Sequence, residues 1–158
     1  YGKTDLYHNV IYFYLHFLYN GFFVFSLLGL FFKYISRKED LEKTSSLKTF
    51  YILMTIATLS GYSLSLLWSS ENSIIHFTAI FSASLQIISL FFLWRILQKI
   101  NLIHLKPEIK RLLILVFISF LLKVILQFLS VFPELFEHAI LFKANYIIGY
   151  IHLFTLGI

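Results

Sequence analysis

His8–Phe32 reads HNVIYFYLHFLYNGFFVFSLLGLFF and carries no Asp, Glu, Lys or Arg. A bilayer core is about 30 Å thick and a helix rises about 1.5 Å per residue, so about 20 apolar residues suffice to cross it. This run is long enough. An ionisable side chain inside it costs a few kcal/mol unless the protein meets it, which makes His16, in its first half, a candidate functional residue.

Composition extends the reading outward. Of the 158 residues, 59% are hydrophobic and only 13% charged, and the mean hydropathy is +0.81. A soluble domain is about a quarter charged, so this chain lacks the polar residues to cover a core and belongs in a membrane. With no cysteine, disulfides, thiolate-bound zinc, iron–sulfur clusters and covalently attached haem are excluded. The basic residues lie in short loops and form no continuous nucleic-acid patch. A Gly-rich phosphate loop, a Ser-x-x-Lys motif, a His-Glu-x-x-His motif and paired carboxylates are all absent, and no enzymatic activity is assigned to the chain on its own.

Five spans are expected, making an all-α polytopic transmembrane bundle in one domain over 1–158. They run from about Asn9 to Ile35, Leu47 to Trp68, Ile74 to Leu97, Leu112 to Phe132, and Asn145 onward. Because the chain starts without Met and stops inside an apolar run, it is expected to be a piece of a longer protein. No span carries a central Pro or paired glycines.

Lysine and arginine give the expected orientation. Lys33, Arg37, Lys38, Lys43 and Lys48 cluster around the first loop, and Arg95, Lys99, Lys106, Lys110 and Arg111 around the third, whereas Lys3 and Lys143 stand alone on the other side. Basic residues in short loops stay cytoplasmic. Tyr1 is therefore expected outside, with loops 36–46 and 98–111 in the cytoplasm.

Polar residues inside the spans recur at helical spacing. The third span has Thr78, Ser82, Gln86 and Ser89, the fourth has Ser119, Lys123, Gln127 and Ser130, and the second has a looser set of Thr55, Thr58, Tyr62 and Ser65, with Gly61 allowing close approach. Small polar residues usually glue membrane helices together. Lys123 asks for more, because it sits near the middle of its span, where it must face a partner, a cavity or a cofactor, or be neutral. No carboxylate lies at its depth.

Depth also sorts the histidines. His8, His76 and His138 fall at the outer edge and His104 in an inner loop, whereas His16 and His152 each lie about seven residues, or roughly 10 Å, below the outer end of an inward-running span. Their contexts repeat, with Tyr two before and Gly five after in both Tyr14–Gly21 and Tyr150–Gly157. Two imidazoles at one depth suit bis-histidine haem b, with Asn20 or Tyr12 as the hydrogen-bond partner of the His16 ring and Gly149 clearing room for a flat ligand. The alternative is that each histidine donates one interhelical hydrogen bond and binds nothing.

The segments YFYLHFLYNGFF and NYIIGYIHLFTLGI resemble the second half of uncharacterised multi-pass proteins of Bacteroidetes-type bacteria, which are themselves distantly similar to subunit I of haem-copper oxidases. His16-Phe17-Leu18-Tyr19 matches the oxidase His-Phe-His-Tyr pattern, with Leu18 in place of the second histidine. The resemblance implies a haem-binding subunit for electron transfer or gas sensing in the bacterial cytoplasmic membrane, with His16 and His152 on the iron. Its implied partners are the lipid bilayer, haem, and further membrane subunits or an N-terminal half. Two other readings stay open: a proton or small-solute transporter, in which Lys123 and Gln127 face Gln86 at mid-membrane, and a scaffold without chemistry.

Overall fold

The computed structural model describes residues 3–36, 45–67, 72–100 and 106–132, with 149, 152, 153 and 157; for 3–5 and 36 it describes the backbone only. The regular structure among the described residues is all helical, with no strand. The helices are α1 (Lys3–His16), a π-helical segment (Phe17–Phe23), α2 (Val24–Ser36), α3 (Ser45–Ser60), α4 (Tyr62–Leu66), α5 (Ser73–Lys99) and α6 (Pro107–Leu129). Among the described residues, four stretches are long and apolar enough to cross a membrane: Leu6–Ile35, Ser45–Leu66, Ser73–Lys99 and Pro107–Leu129. Of the expected fifth span, only 149, 152, 153 and 157 are described, and they are helical; the rest lies outside the described residues, as does His138.

The ends of the longer helices follow local chemistry. Asn72 caps α5 by accepting from the Ile74 N–H at 2.9 Å. The α6 helix starts at Pro107, five residues before the Leu112 expected from hydropathy, since a proline at N1 needs no N–H donor and has its φ set for a helix. The extended backbone of Lys106 (ψ 143°) is what a following proline imposes. At the other end Ser130 turns its hydroxyl back onto the Gln127 carbonyl at 2.7 Å.

Two spans depart from the regular α-helix expected of them. In the first, Phe17–Phe23 winds as a π-helix directly after His16. Its i→i+5 bonds put more residues in each turn than an α-helix does. A four-residue step then lags slightly where in an α-helix it leads, and the alternation keeps His16, Asn20 and Val24 on one buried line. The second span breaks at Gly61, between α3 and α4.

The chain forms two compact units, Tyr1–Ile100 and Asn101–Ile158. In the first, α3 packs along α5, burying the small residues Ala57, Ala79, Ser82 and Ala83, with Ser82 bonded to the Ala57 carbonyl and Ser89 to the Met54 sulfur. Such residues let helix backbones approach closely. Bulky rings bridge α2 to α3 instead: Phe32 lies edge-on to Phe50 at 6.0 Å and to Tyr51 at 5.9 Å. In the second unit Gly157 presses on α6, where a Cβ would come within 2.6 Å of the Ser119 Oγ.

Candidate functional site

Two buried polar centres stand out, one in each unit. The first forms where α3 ends. A helix leaves its last four carbonyls without in-helix donors, and three of those of α3 are met by side chains, two from other spans and one from α4. The Ala57 carbonyl accepts from Ser82 Oγ of α5 at 2.7 Å, the Thr58 carbonyl from His16 Nε2 of α1 at 2.9 Å, and the Ser60 carbonyl from Ser63 Oγ at 2.7 Å. Gly61 makes the crossing passable. A Cβ there would lie 2.7 Å from the Ala57 carbonyl oxygen, 2.9 Å from Ser82 Oγ and 3.2 Å from His16 Cε1.

The carbonyl at Thr58 also sets the His16 tautomer. Since it can only accept, Nε2 carries the hydrogen and Nδ1 keeps a lone pair, which takes a hydrogen bond from Asn20 Nδ2 at 3.3 Å. The ring is 5% exposed, with Phe17 edge-on at 5.1 Å and Tyr62 at 6.4 Å. Tyr62 in turn donates its hydroxyl to the Asn9 carbonyl at 3.2 Å, fixing α4 to α1. Of the two partners expected for His16, Asn20 reaches the ring, as a donor to Nδ1; Tyr12 stacks on His8 at 6.4 Å.

Both ring nitrogens of His16 are engaged within the first unit. An axial ligand must turn a nitrogen lone pair toward the iron across an apolar slot. Here the Nδ1 lone pair points at an amide donor, Nε2 points at a backbone carbonyl, and the carbon between them lies against Gly61. His152 and Gly149 belong to the second unit, where both are helical and exposed, and a Cβ on Gly149 would meet nothing within 4 Å among the described residues. No group of three or more His, Cys, Asp or Glu able to hold a metal occurs among the described residues.

The second centre lies on α6. Lys123 and Gln127, one turn apart on one face, are 1% and 9% exposed. Lys123 Nζ and Gln127 Oε1 have no hydrogen-bond partner among the described residues, and the notable neighbour of the amine is the Phe120 ring, 5.4 Å from its centroid. In the first unit the Oε1 of Gln86 is likewise buried and unpartnered among the described residues, one turn along α5 from Ser82.

Sequence spacing placed Ser82, Gln86, Ser89, Lys123 and Gln127 on inward faces, and they are buried. Thr78 and Thr55 of the same sets are exposed, and each satisfies its hydroxyl on its own helix, Thr78 on Ile74 O at 3.0 Å and Thr55 on Tyr51 O at 2.7 Å. The acceptors of the first centre are not visible in the sequence, because a backbone carbonyl has no residue signature; its donors His16 and Ser82 and the glycine at 61 are.

Comparison of the chain with protein-family models, with curated proteins and with solved structures gives no match.

Proposed function

We propose that this chain is part of a transport protein of the bacterial cytoplasmic membrane, moving protons or a small polar solute, with Lys123 as the charged group of its path and Gln127 beside it. In this reading Tyr1 lies outside and loops 36–46 and 98–111 are cytoplasmic. The observation that carries it is the Lys123 amine, 1% exposed and without a hydrogen-bond partner among the described residues. A buried polar group left unpaired costs several kcal/mol, and far more if it is charged. Such a cost persists where something comes to the group in the course of function.

The first polar centre supplies the contrast. Where this chain uses polar residues to tie helices together, as with His16 on Thr58 and Ser82 on Ala57, the donors meet carbonyls at 2.9 and 2.7 Å. Among the described residues, nothing meets Lys123 Nζ or Gln127 Oε1 in that way, which favours transport over a scaffold role.

The test is flux through liposomes holding the purified protein. Protons are followed with a trapped pH dye under a potassium diffusion potential, and a panel of labelled amino acids, sugars and organic acids is followed by uptake. Wild-type protein is expected to carry at least one of them, and Lys123→Met to fall to the level of protein-free liposomes. Flux through Lys123→Met equal to the wild type, or none through wild type, contradicts the reading.

A further inference from the structure

Resting on the transport reading, we infer that the Lys123–Gln127 face binds a small, singly charged oxyanion that also carries a hydroxyl, such as a short 2-hydroxy carboxylate or bicarbonate. The inference starts from the polarity of the two unpaired atoms. Lys123 Nζ can only donate and Gln127 Oε1 can only accept. Residues four apart on a helix are neighbours, with Cβ atoms about 5–6 Å apart. A ligand that satisfies both must therefore offer an acceptor and a donor within the span of a few bonded atoms.

Charge narrows the class. One buried ammonium calls for one negative charge, and none of the described residues meets the Lys123 amine with a hydrogen bond. Chloride, or a carboxylate without a hydroxyl, would meet Lys123 and leave the Gln127 oxygen bare. A zwitterion would meet both atoms but place its own ammonium close to the lysine and leave the site with a net positive charge. A hydroxyl is a donor without charge, and an anion that bears one balances both the charge and the hydrogen bonds.

The surroundings suit something small. Phe120 and Val124 are buried beside the pair, and the ring of Phe120 faces the amine. One turn before Lys123 on the same face, Ser119 is covered by Gly157, which has no side chain to put between them. Ser130, two turns beyond Lys123 and three residues past Gln127, spends its hydroxyl on the Gln127 carbonyl at 2.7 Å. Among the described residues, the buried polar atoms of this face without a hydrogen-bond partner are Lys123 Nζ and Gln127 Oε1, with the Ser119 hydroxyl at its margin.

Lactate and propionate make the test, since both are three-carbon carboxylates and they differ by the hydroxyl. Thermal unfolding of the purified protein in detergent is followed with increasing amounts of each. Lactate is expected to raise the midpoint by about 3 °C or more once well above its Kd, with propionate needing about tenfold higher concentration for the same rise. Gln127→Leu should erase the difference between the two acids, and Lys123→Met should erase both shifts; their unliganded melting curves show directly that the variants fold. Equal responses of wild type to the two acids, no response to either, or a lactate shift that survives in Lys123→Met overturns the inference. If these results fail while Lys123→Met still abolishes flux, the ligand class is wrong and the transport reading stands; if the flux survives as well, both fall.

Discussion

Gly61→Leu is expected to lower the stability of the first unit by about 3–5 kcal/mol, combining the cost of overpacking a close crossing with the loss of two buried hydrogen bonds. The first atom of the new side chain would already stand 2.7 Å from the Ala57 carbonyl oxygen and 2.9 Å from Ser82 Oγ. One of these is backbone, which cannot swing away as the tip of a long side chain can. Ala57 lies four residues earlier on the same span, so relief there requires the backbone between α3 and α4 to open, while relief at Ser82 breaks its bond to the Ala57 carbonyl and the 3.2 Å approach to His16 Cε1 crowds the ring bonded to Thr58. Gly29→Leu is the matched control, because a Cβ at Gly29 meets nothing within 4 Å among the described residues. Unfolding in a denaturing detergent, followed by tryptophan fluorescence, should separate the two variants clearly. A Gly61→Leu curve that overlays the Gly29→Leu curve would show that the crossing does not hold the unit together.

Lys123→Met is expected to do the opposite and stabilise the protein, by about 1–3 kcal/mol, even as it removes transport. Methionine keeps the length and flexibility of the lysine stem, so the space around Val124 and Phe120 stays filled. What disappears is a polar head that has no hydrogen-bond partner among the described residues. The contact with the Phe120 ring, 5.4 Å from the amine, returns part of the cost of burying it and sets the lower end of the range. A rise in melting midpoint marks an amine kept for function at the expense of stability. A fall would mean that the amine supports the fold.

How much of this was legible beforehand differs by residue. Lys123 and Gln127 stand out in an apolar run, helical spacing alone puts them on one face, and both are buried. The proximity of His16 to Asn20 was also readable, four residues being about one turn. Its role was not. The acceptor that fixes His16 is a carbonyl made available by the end of α3 at Gly61, and a carbonyl is the same at every position of a sequence. The π-helical turn after His16 was hidden for a related reason, since it needs no proline or glycine pair to form. Thr78 and Thr55 show a third limit. A threonine can close its hydroxyl on its own helix, so its place in a polar stripe does not say which way it faces. The repeated Tyr-x-His-x-x-x-x-Gly context is likewise shared in letters more than in surroundings: Gly157 is pressed against Ser119, whereas a Cβ on Gly21 would meet Phe17 at an ordinary 3.8 Å.

The central claim is that water and ligand reach the Lys123 amine through the protein. The chain has no cysteine, so Lys123→Cys introduces a single thiol, and Ile125→Cys, at a position 41% exposed on another flank of α6, serves as its reference. A thiol in an apolar setting is inert to charged, membrane-impermeant reagents, whereas one on a water-reachable path reacts. Treated with a charged methanethiosulfonate in sealed liposomes, Lys123→Cys is expected to be modified many times faster than Ile125→Cys. Equal inertness of the two thiols would contradict the account.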